Sequence, residues 1–434
     1  MSGMYRREVP QYGTLLSLVA EINASALERD PSLLPDPADT VRLDIERHGA
    51  IRLGTPAELS TIRRIFAVMG MRPVGYYDLG VAGLPVHSTA FRPVDPDSLA
   101  ANPFRVFTSL LRMDLVRDQA LRDLATGILS KRNIFSVRAL ALTGQAEAAG
   151  GLTDAEADEF VAEVLHTFRW HAEAAVSRDT YERLHDTHRL IADVVGFKGP
   201  HINHLTPRTL DIDAAHARMP LHGMSSKHTI EGPPRRKVPI LLRQTSFKAL
   251  EEPIRFAGGA ANGAHTARFG EIEQRGMALT RKGRTLYDNL LNQARGKEAG
   301  DDSKHPTPLA RAFEAFPDDA NTLRREELGF FSYAVVPHRA AIASARPFDL
   351  DDLVTRGVVT ATPITYEDFL PVSAAGIFQS NLGDSAPATY SAVAAQAEFE
   401  RALGAPVLDE IALYQAQQDA SIARVMQELK ESPP

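Results

Sequence analysis

This chain of 434 residues holds fourteen histidines and no cysteine, so its metal-binding chemistry must come from imidazole and carboxylate groups. Thiolate catalysis, disulfides, iron–sulfur clusters and cysteine-ligated zinc are excluded. Four stretches concentrate the candidates. GLPVHSTAFRPV (83–94) reads as a strand with His87 among apolar residues and Arg92 five positions on. On a strand, His87, Thr89 and Phe91 share a face. HINHLTPR (201–208) holds His201 and His204. As a strand it sends them to opposite faces, so one of the two can serve a given site. FGEIEQRG (269–276) puts Glu271 and Glu273 on one face. Buried carboxylates need a cation or a metal, and the neighbours Phe269 and Ile272 do not choose between that and a solvated face shared with Arg275. HDTHRL (185–190) spaces His185 and His188 for one helix face near Glu182 and Asp186, where a solvated face is the simpler account.

Each histidine alone is a weak signal, because a single strand histidine more often packs in the core or lies at the surface than binds a metal. In combination they matter. Two histidines and one carboxylate occupy one face of an octahedral metal and leave three positions open. A 2-oxo acid chelates two of these and dioxygen takes the third. The groups lie far apart in the chain, so a sheet must assemble them. Competing chemistries lack their motifs. There is no HExxH or GxSxG, and the glycines of GRTLYD and AGGAANGAH form neither a Walker loop nor a GxGxxG fingerprint.

The elements that would carry these groups follow from periodicity. Residues 12–29 have helical apolar spacing. The helix beginning at Thr55 has Pro56 at its first position, Glu58 completing a capping box, and Gly70 as its stop. VGYYDLG, LPVHSTAFRPV and FRVFTSLLRM (104–113) read as three strands after it. Residues 117–195 read as about three helices, with a second capping box at Thr153 and Glu156, and contain Trp170, the sole tryptophan. Strand-like sequence returns at 201–213, 238–247 and 265–280, the last preceded by a glycine-rich turn at 258–263. A helix over 279–295, a polar linker over 298–308 and a C-terminal helix over 407–430 complete the reading.

Lys and Arg number 48 against 55 Asp and Glu, a formal charge of −7. That argues against a general nucleic-acid or anionic-membrane binder. No run approaches the roughly 20 apolar residues of a membrane span. The start, MSGMYRREVPQYG, lacks a signal-peptide core. A cytoplasmic protein is expected, with no nucleic-acid or membrane partner and an oligomeric state that the sequence leaves open.

GLPVHSTAFRPV, HINHLTPRTLDID, ILLRQTSFKALEE, HTARFGEIEQRGMALTRKGR and YEDFLPVSAAGIFQSNLG together resemble the 2-oxoadipate dioxygenase/decarboxylase family, also called hydroxyglutarate synthase. The resemblance runs from about residue 5 to about residue 425. It implies an α+β fold like the vicinal oxygen chelate group, a cupped mixed sheet around a metal with a helical insertion and peripheral helices. Residues 1–434 would form one composite catalytic domain. Its parts would be a first βαβββ-like part (40–116), a helical insertion (117–195), a second β-rich part (196–390) and a C-terminal helical segment (391–434).

The resemblance also implies a site. His87, His204 and Glu271 would bind iron(II), which zinc, nickel or manganese can replace. The similar FLEVIQR-like segment of hydroxyphenylpyruvate dioxygenases selects Glu271 over Glu273. Arg92 would hold the distal carboxylate of the substrate. It stands one residue further from its histidine than in the HxAFR of other family branches, a difference that a β-bulge would absorb. His87, Arg92 and His204 would contact substrate, and Val372 and Ser373 would close over it. The implied reaction, in lysine breakdown, converts 2-oxoadipate and dioxygen to 2-hydroxyglutarate and carbon dioxide. The alternative is an oxygen-independent, metal-dependent isomerase or lyase of a 2-oxo acid on the same scaffold.

Overall fold

A computed structural model describes residues 1–34, 37–258, 262–295, 307–337, 349–370 and 392–431. The chain divides into two compact units. The first comprises Met1–Glu231, Gln244–Gln274 and Phe369–Leu408, and the second Gly232–Arg243, Arg275–Asp368 and Asp409–Pro434. Val372 and Ser373, most of the 298–308 linker and the middle of the 258–263 turn lie outside the described residues.

The first unit begins its sheet with a βαβββ run. Strand β1 (Arg47–Leu53) leads into a helix (Pro56–Val68), followed by β2 (Arg72–Asp78), β3 (Val86–Arg92) and β4 (Phe104–Leu111). The capping box forms as expected: Thr55 accepts from the Glu58 amide, and Glu58 Oε2 accepts from the Gly54 and Thr55 amides at 2.7 and 3.2 Å. Such a cap stabilises a helix by about 1 kcal/mol. Here it also fixes the turn that ends β1. The periodicity reading located the helix and the three strands after it, but not β1.

β1 was missed because it does not look like a strand. RHGAIRL carries a glycine and two arginines, and its apolar residues Ile51 and Leu53 occupy one face only. That face meets the helix: Ile51 and Leu53 pack with Leu59, Ile62 and Phe66 in the core. Each such side chain contributes roughly 1.5–3 kcal/mol by leaving water. The other face presents His48, Ala50 and Arg52.

β5 (His204–Pro207), β6 (Leu242–Ser246) and β9 (Phe269–Arg275) extend the sheet to the order β2-β3-β4-β1-β5-β9-β6, while β7 (Glu251–Arg255) and β8 (Asn262–Thr266) form a separate antiparallel pair. β1 runs parallel to β4 and antiparallel to β5, and β5 runs parallel to β9. Parallel and antiparallel pairs in one sheet, with helices around it, give the expected α+β class.

Gly49 is required where β1 meets β5. A Cβ there would stand 2.9 Å from Leu205 Cδ2 and 3.1 Å from the His204 carbonyl oxygen. Residues 117–195 hold five helices rather than about three: Gln119–Leu129, Val137–Ala149, Asp154–Leu165, Arg178–Thr187 and Arg189–Val195. The last two read as one helix in the sequence. His188 divides them by taking an extended conformation and capping the second through Nδ1, 3.1 Å from the Leu190 amide.

In the second unit β10 (Phe331–Val335) pairs antiparallel with β11 (Val359–Pro363), and the C-terminal helix Glu410–Glu431 packs on β10. Among the described residues no helix is long and apolar enough to cross a membrane.

Candidate metal centre

The β1–β5–β9 register builds one polar cluster. His48 lies opposite Thr206 on β5, and Thr206 lies beside Glu271 on β9, its hydroxyl donating to Glu271 Oε1 at 3.2 Å. His204, two residues before Thr206, points to the same face. His48, His204 and Glu271 are all buried, and one ligating atom of each lies within 4.8 Å of the others. His48 Nε2 is 2.9 Å and His204 Nε2 3.9 Å from Glu271 Oε1. Gln244 on β6 donates to the same oxygen at 2.8 Å. The edge of the Phe369 ring closes on His48 at a centroid distance of 4.9 Å.

The three groups differ in the protonation their surroundings favour. Burial holds His204 down to about 3, which keeps its imidazole neutral and its lone pair free. Burial pushes Glu271 up, but His204 and His48 bring it below its ordinary value, so it is a carboxylate. His48 is raised: burial works against its charge, and Glu273 and Glu271 outweigh burial. Two buried atoms of the cluster, His204 Nδ1 and Glu271 Oε2, have no hydrogen-bond partner among the described residues. Buried polar atoms without partners are costly. Two imidazoles and one carboxylate on three adjacent strands could satisfy a divalent metal of the iron, manganese or zinc type.

Glu273 supports the cluster from behind. Its Oε2 lies 2.9 Å from His48 Nδ1. A carboxylate on Nδ1 fixes the ring and directs Nε2 at the site, the usual support for a metal-binding histidine. The two glutamates that strand alternation puts on one face therefore occupy different places. Glu271 is in the cluster and Glu273 lies behind His48.

The family model for 2-oxoadipate dioxygenase/decarboxylase matches residues 1–381. The chain belongs to that family. The 2-oxoadipate dioxygenase/decarboxylase of Escherichia coli (strain K12) is 56% identical over 98% of this chain and 95% of its own. That of Mycobacterium tuberculosis (strain ATCC 25618 / H37Rv) is 40% identical over 88% and 85%. The crystal structure of hydroxyglutarate synthase from Pseudomonas putida in complex with 2-oxoadipate matches with a TM-score of 0.91 at 52% identity, covering 99% of this chain and 96% of that one.

Two of the three metal residues expected from the sequence, His204 and Glu271, come together. His87 does not join them, and His48 stands in its place. On β3 His87 lies opposite Leu110, which lies opposite Leu53 on β1. His87 therefore points to the helix-covered face, the reverse of His48. There it packs against Phe399 at 4.7 Å, with the Tyr76 hydroxyl 3.4 Å from its Nδ1. Burial, and after it the charge of Arg112, lower it to about 3. It is a neutral core histidine.

Arg92 does not share the face of His87. The β3–β4 register is continuous from Val86 to Phe91, so no bulge lies between His87 and Arg92. Five residues along a regular strand reverse the face. Arg92 ends β3 opposite Arg72, and β4 lies between its strand and β1. The irregularity in this region falls on β2, between Val74 and Tyr76.

A second segment of the sequence matches the pattern of the resemblance more closely. HGAIR (48–52) has the histidine, alanine and arginine of HxAFR at that pattern's own spacing. Four residues along a strand keep His48 and Arg52 on one face, about 13 Å apart at the Cα atoms. Arg52 is buried and donates from Nη1 to Asp193 Oδ2 at 2.6 Å.

Proposed function

We propose that this protein is an iron(II)-dependent dioxygenase and decarboxylase that converts 2-oxoadipate and dioxygen to 2-hydroxyglutarate and carbon dioxide. The reading is carried by His48, His204 and Glu271 on one sheet face, with Arg52 further along the strand that holds His48. Family membership supports the reaction, and the Pseudomonas putida relative binds 2-oxoadipate. The donor set fits iron(II) and accepts manganese, nickel or zinc.

In this reading His48, His204 and Glu271 hold the metal on one side. Iron supplies chelation of the 2-oxo acid and activation of dioxygen at its open positions. The atoms balance: the C1–C2 bond breaks, C1 leaves as carbon dioxide, one oxygen atom completes the new carboxylate at C2, and the other becomes the hydroxyl on C3. Glu273 keeps His48 oriented through Nδ1. Gln244 and Thr206 hold Glu271 by donating to Oε1. Phe369 excludes water beside His48, which strengthens the electrostatics of the site.

Arg52 takes the distal carboxylate of the substrate. A guanidinium offers paired donors to a carboxylate, and anchoring that end sets chain length and pose. In this proposal the reaction serves lysine breakdown in the cytoplasm.

The test is oxygen uptake by anaerobically iron-loaded protein given 2-oxoadipate, with the product identified by mass. The expected result is one dioxygen consumed per 2-hydroxyglutarate formed. Product formed without oxygen uptake would replace this reading with the isomerase or lyase alternative.

A further inference from the structure

A second cluster of two histidines and a carboxylate lies in the first unit, joined to Arg52. Asp193, His201 and His265 are buried, and ligating-type atoms of the three lie within 4.8 Å of one another. Asp193 Oδ2 takes Arg52, and Oδ1 lies 2.9 Å from His265 Nε2 and 3.3 Å from His201 Nε2. Tyr181 stands on the far side of His265, its hydroxyl 2.7 Å from Nδ1. Trp170 covers the pair, edge-on to His201 at 4.7 Å and stacked on His265 at 6.0 Å.

The composition suggests a second metal, but the bonding does not. Asp193 already carries the charge of Arg52 on one oxygen, and a divalent cation beside a guanidinium would be repelled. Burial, and after it the charge of Asp193, push Tyr181 up to about 12, and its hydroxyl is hydrogen-bonded to His265 Nδ1. An ionised carboxylate only accepts, so His265 donates to Asp193 from Nε2. Burial pushes Asp193 up, but Arg52, then His201 and His265, hold it well below the ordinary carboxylate range. The chain Tyr181–His265–Asp193–Arg52 is thus an unbroken sequence of hydrogen bonds.

We propose that Asp193, His265 and Tyr181 are positioning residues that fix the direction of the Arg52 guanidinium and thereby set the preference for 2-oxo acids bearing a distal carboxylate. The inference rests on the reading of Arg52 given above. An arginine has many rotamers, and a carboxylate anchored in turn by a histidine confines it before the substrate arrives. A preorganised donor binds its partner without a further ordering cost. The network touches neither His48 nor the reacting carbons, so its loss acts on binding of the diacid rather than on the chemical step.

The experiment compares 2-oxoadipate with 2-oxohexanoate, which has the same carbon chain and no distal carboxylate. Asp193→Asn, His265→Ala, His265→Gln, Tyr181→Phe and Arg52→Gln are each assayed for kcat, KM and iron content. Binding of both acids to manganese(II)-loaded protein is measured by calorimetry under nitrogen, so that affinity is read apart from turnover. Asp193→Asn and His265→Ala are expected to raise KM and Kd for 2-oxoadipate about tenfold. Their effect on kcat and on 2-oxohexanoate is expected to be several-fold smaller, at full iron content. His265→Gln places an amide N–H near the Nε2 position and is expected to recover most of the loss. Tyr181→Phe removes one hydroxyl from a buried site and keeps the test available if the Asp193 variant does not fold. It is expected to raise KM about two- to threefold.

Equal losses for both acids would overturn the proposal, as would a loss confined to kcat. So would two metal ions per chain falling to one in His265→Ala, which would make the cluster a metal site. Arg52→Gln separates the two levels. If it abolishes the diacid preference while the network variants keep it, the positioning role alone fails. If it leaves the preference unchanged, the reading of Arg52 fails and the inference with it.

Discussion

Two clusters in the first unit share a formula of two histidines and one carboxylate, yet their bonding differs. Around His48, His204 and Glu271, two buried atoms lack partners among the described residues, and one carboxylate oxygen is shared by Thr206, Gln244 and His48. Around Asp193, the carboxylate is neutralised by Arg52 and the histidines are engaged by Asp193 and Tyr181. The first arrangement has coordination to offer and the second has spent it within the protein. Residue types at matching distances therefore do not define a metal site. The balance of charge and the unmet hydrogen bonds do.

The sharpest way to break this comparison is to remove ligands from the first cluster. His48→Ala and Glu271→Ala are expected to reduce bound iron to background, and full iron content in either variant would refute the assignment. Glu273→Gln should act one step back. It keeps the shape but weakens the anchor on His48 Nδ1, and metal affinity is expected to fall about 10- to 100-fold. A metal titration monitored by calorimetry measures this, and an unchanged affinity would separate Glu273 from the site.

Gly49→Ala probes the scaffold that brings β1 to β5. Its methyl would press on Leu205 and on the His204 carbonyl, and overpacking of this kind costs about 1–3 kcal/mol. Denaturant unfolding of the metal-free protein reads that loss, and wild-type stability would show that the strands can part without strain.

His87 supplies the smallest expected effect on the metal. His87→Leu should leave iron content and turnover intact, while changing the acid sensitivity of the metal-free protein. His87 is held at about 3 when folded, against an ordinary value near 6.5. Between those limits the unfolded chain binds the extra proton, so this group makes stability fall as pH drops from 6.5 towards 3. The slope is up to about 1.4 kcal/mol per pH unit. Melting curves across that range should lose this contribution in His87→Leu. An identical pH dependence would mean that His87 does not titrate as its burial requires.

Much of the molecule was legible before folding. Both capping boxes announce their helices because capping is local chemistry among four consecutive residues. The strands carrying His204 and Glu271 could be read, and the long motifs around them carried the family resemblance. The error at His87 has a physical source. Alternation correctly grouped His87 with Thr89 and Phe91, but it does not say which face a helix will cover. Phe91 packs on Phe66 of the helix Pro56–Val68, with ring centroids 5.0 Å apart. That contact turns the whole face of His87 into core.

Residue content and spacing set the available chemistry: no thiol, two kinds of metal ligand, and an HGAIR segment whose spacing keeps a histidine and an arginine on one strand face. Tertiary structure decided which of the fourteen histidines would use that chemistry. It did so because sheet register is a relation between distant segments. β1 must lie beside β5 for His48 to reach Glu271 and Glu273, and the close approach allowed at Gly49 is part of how it does so.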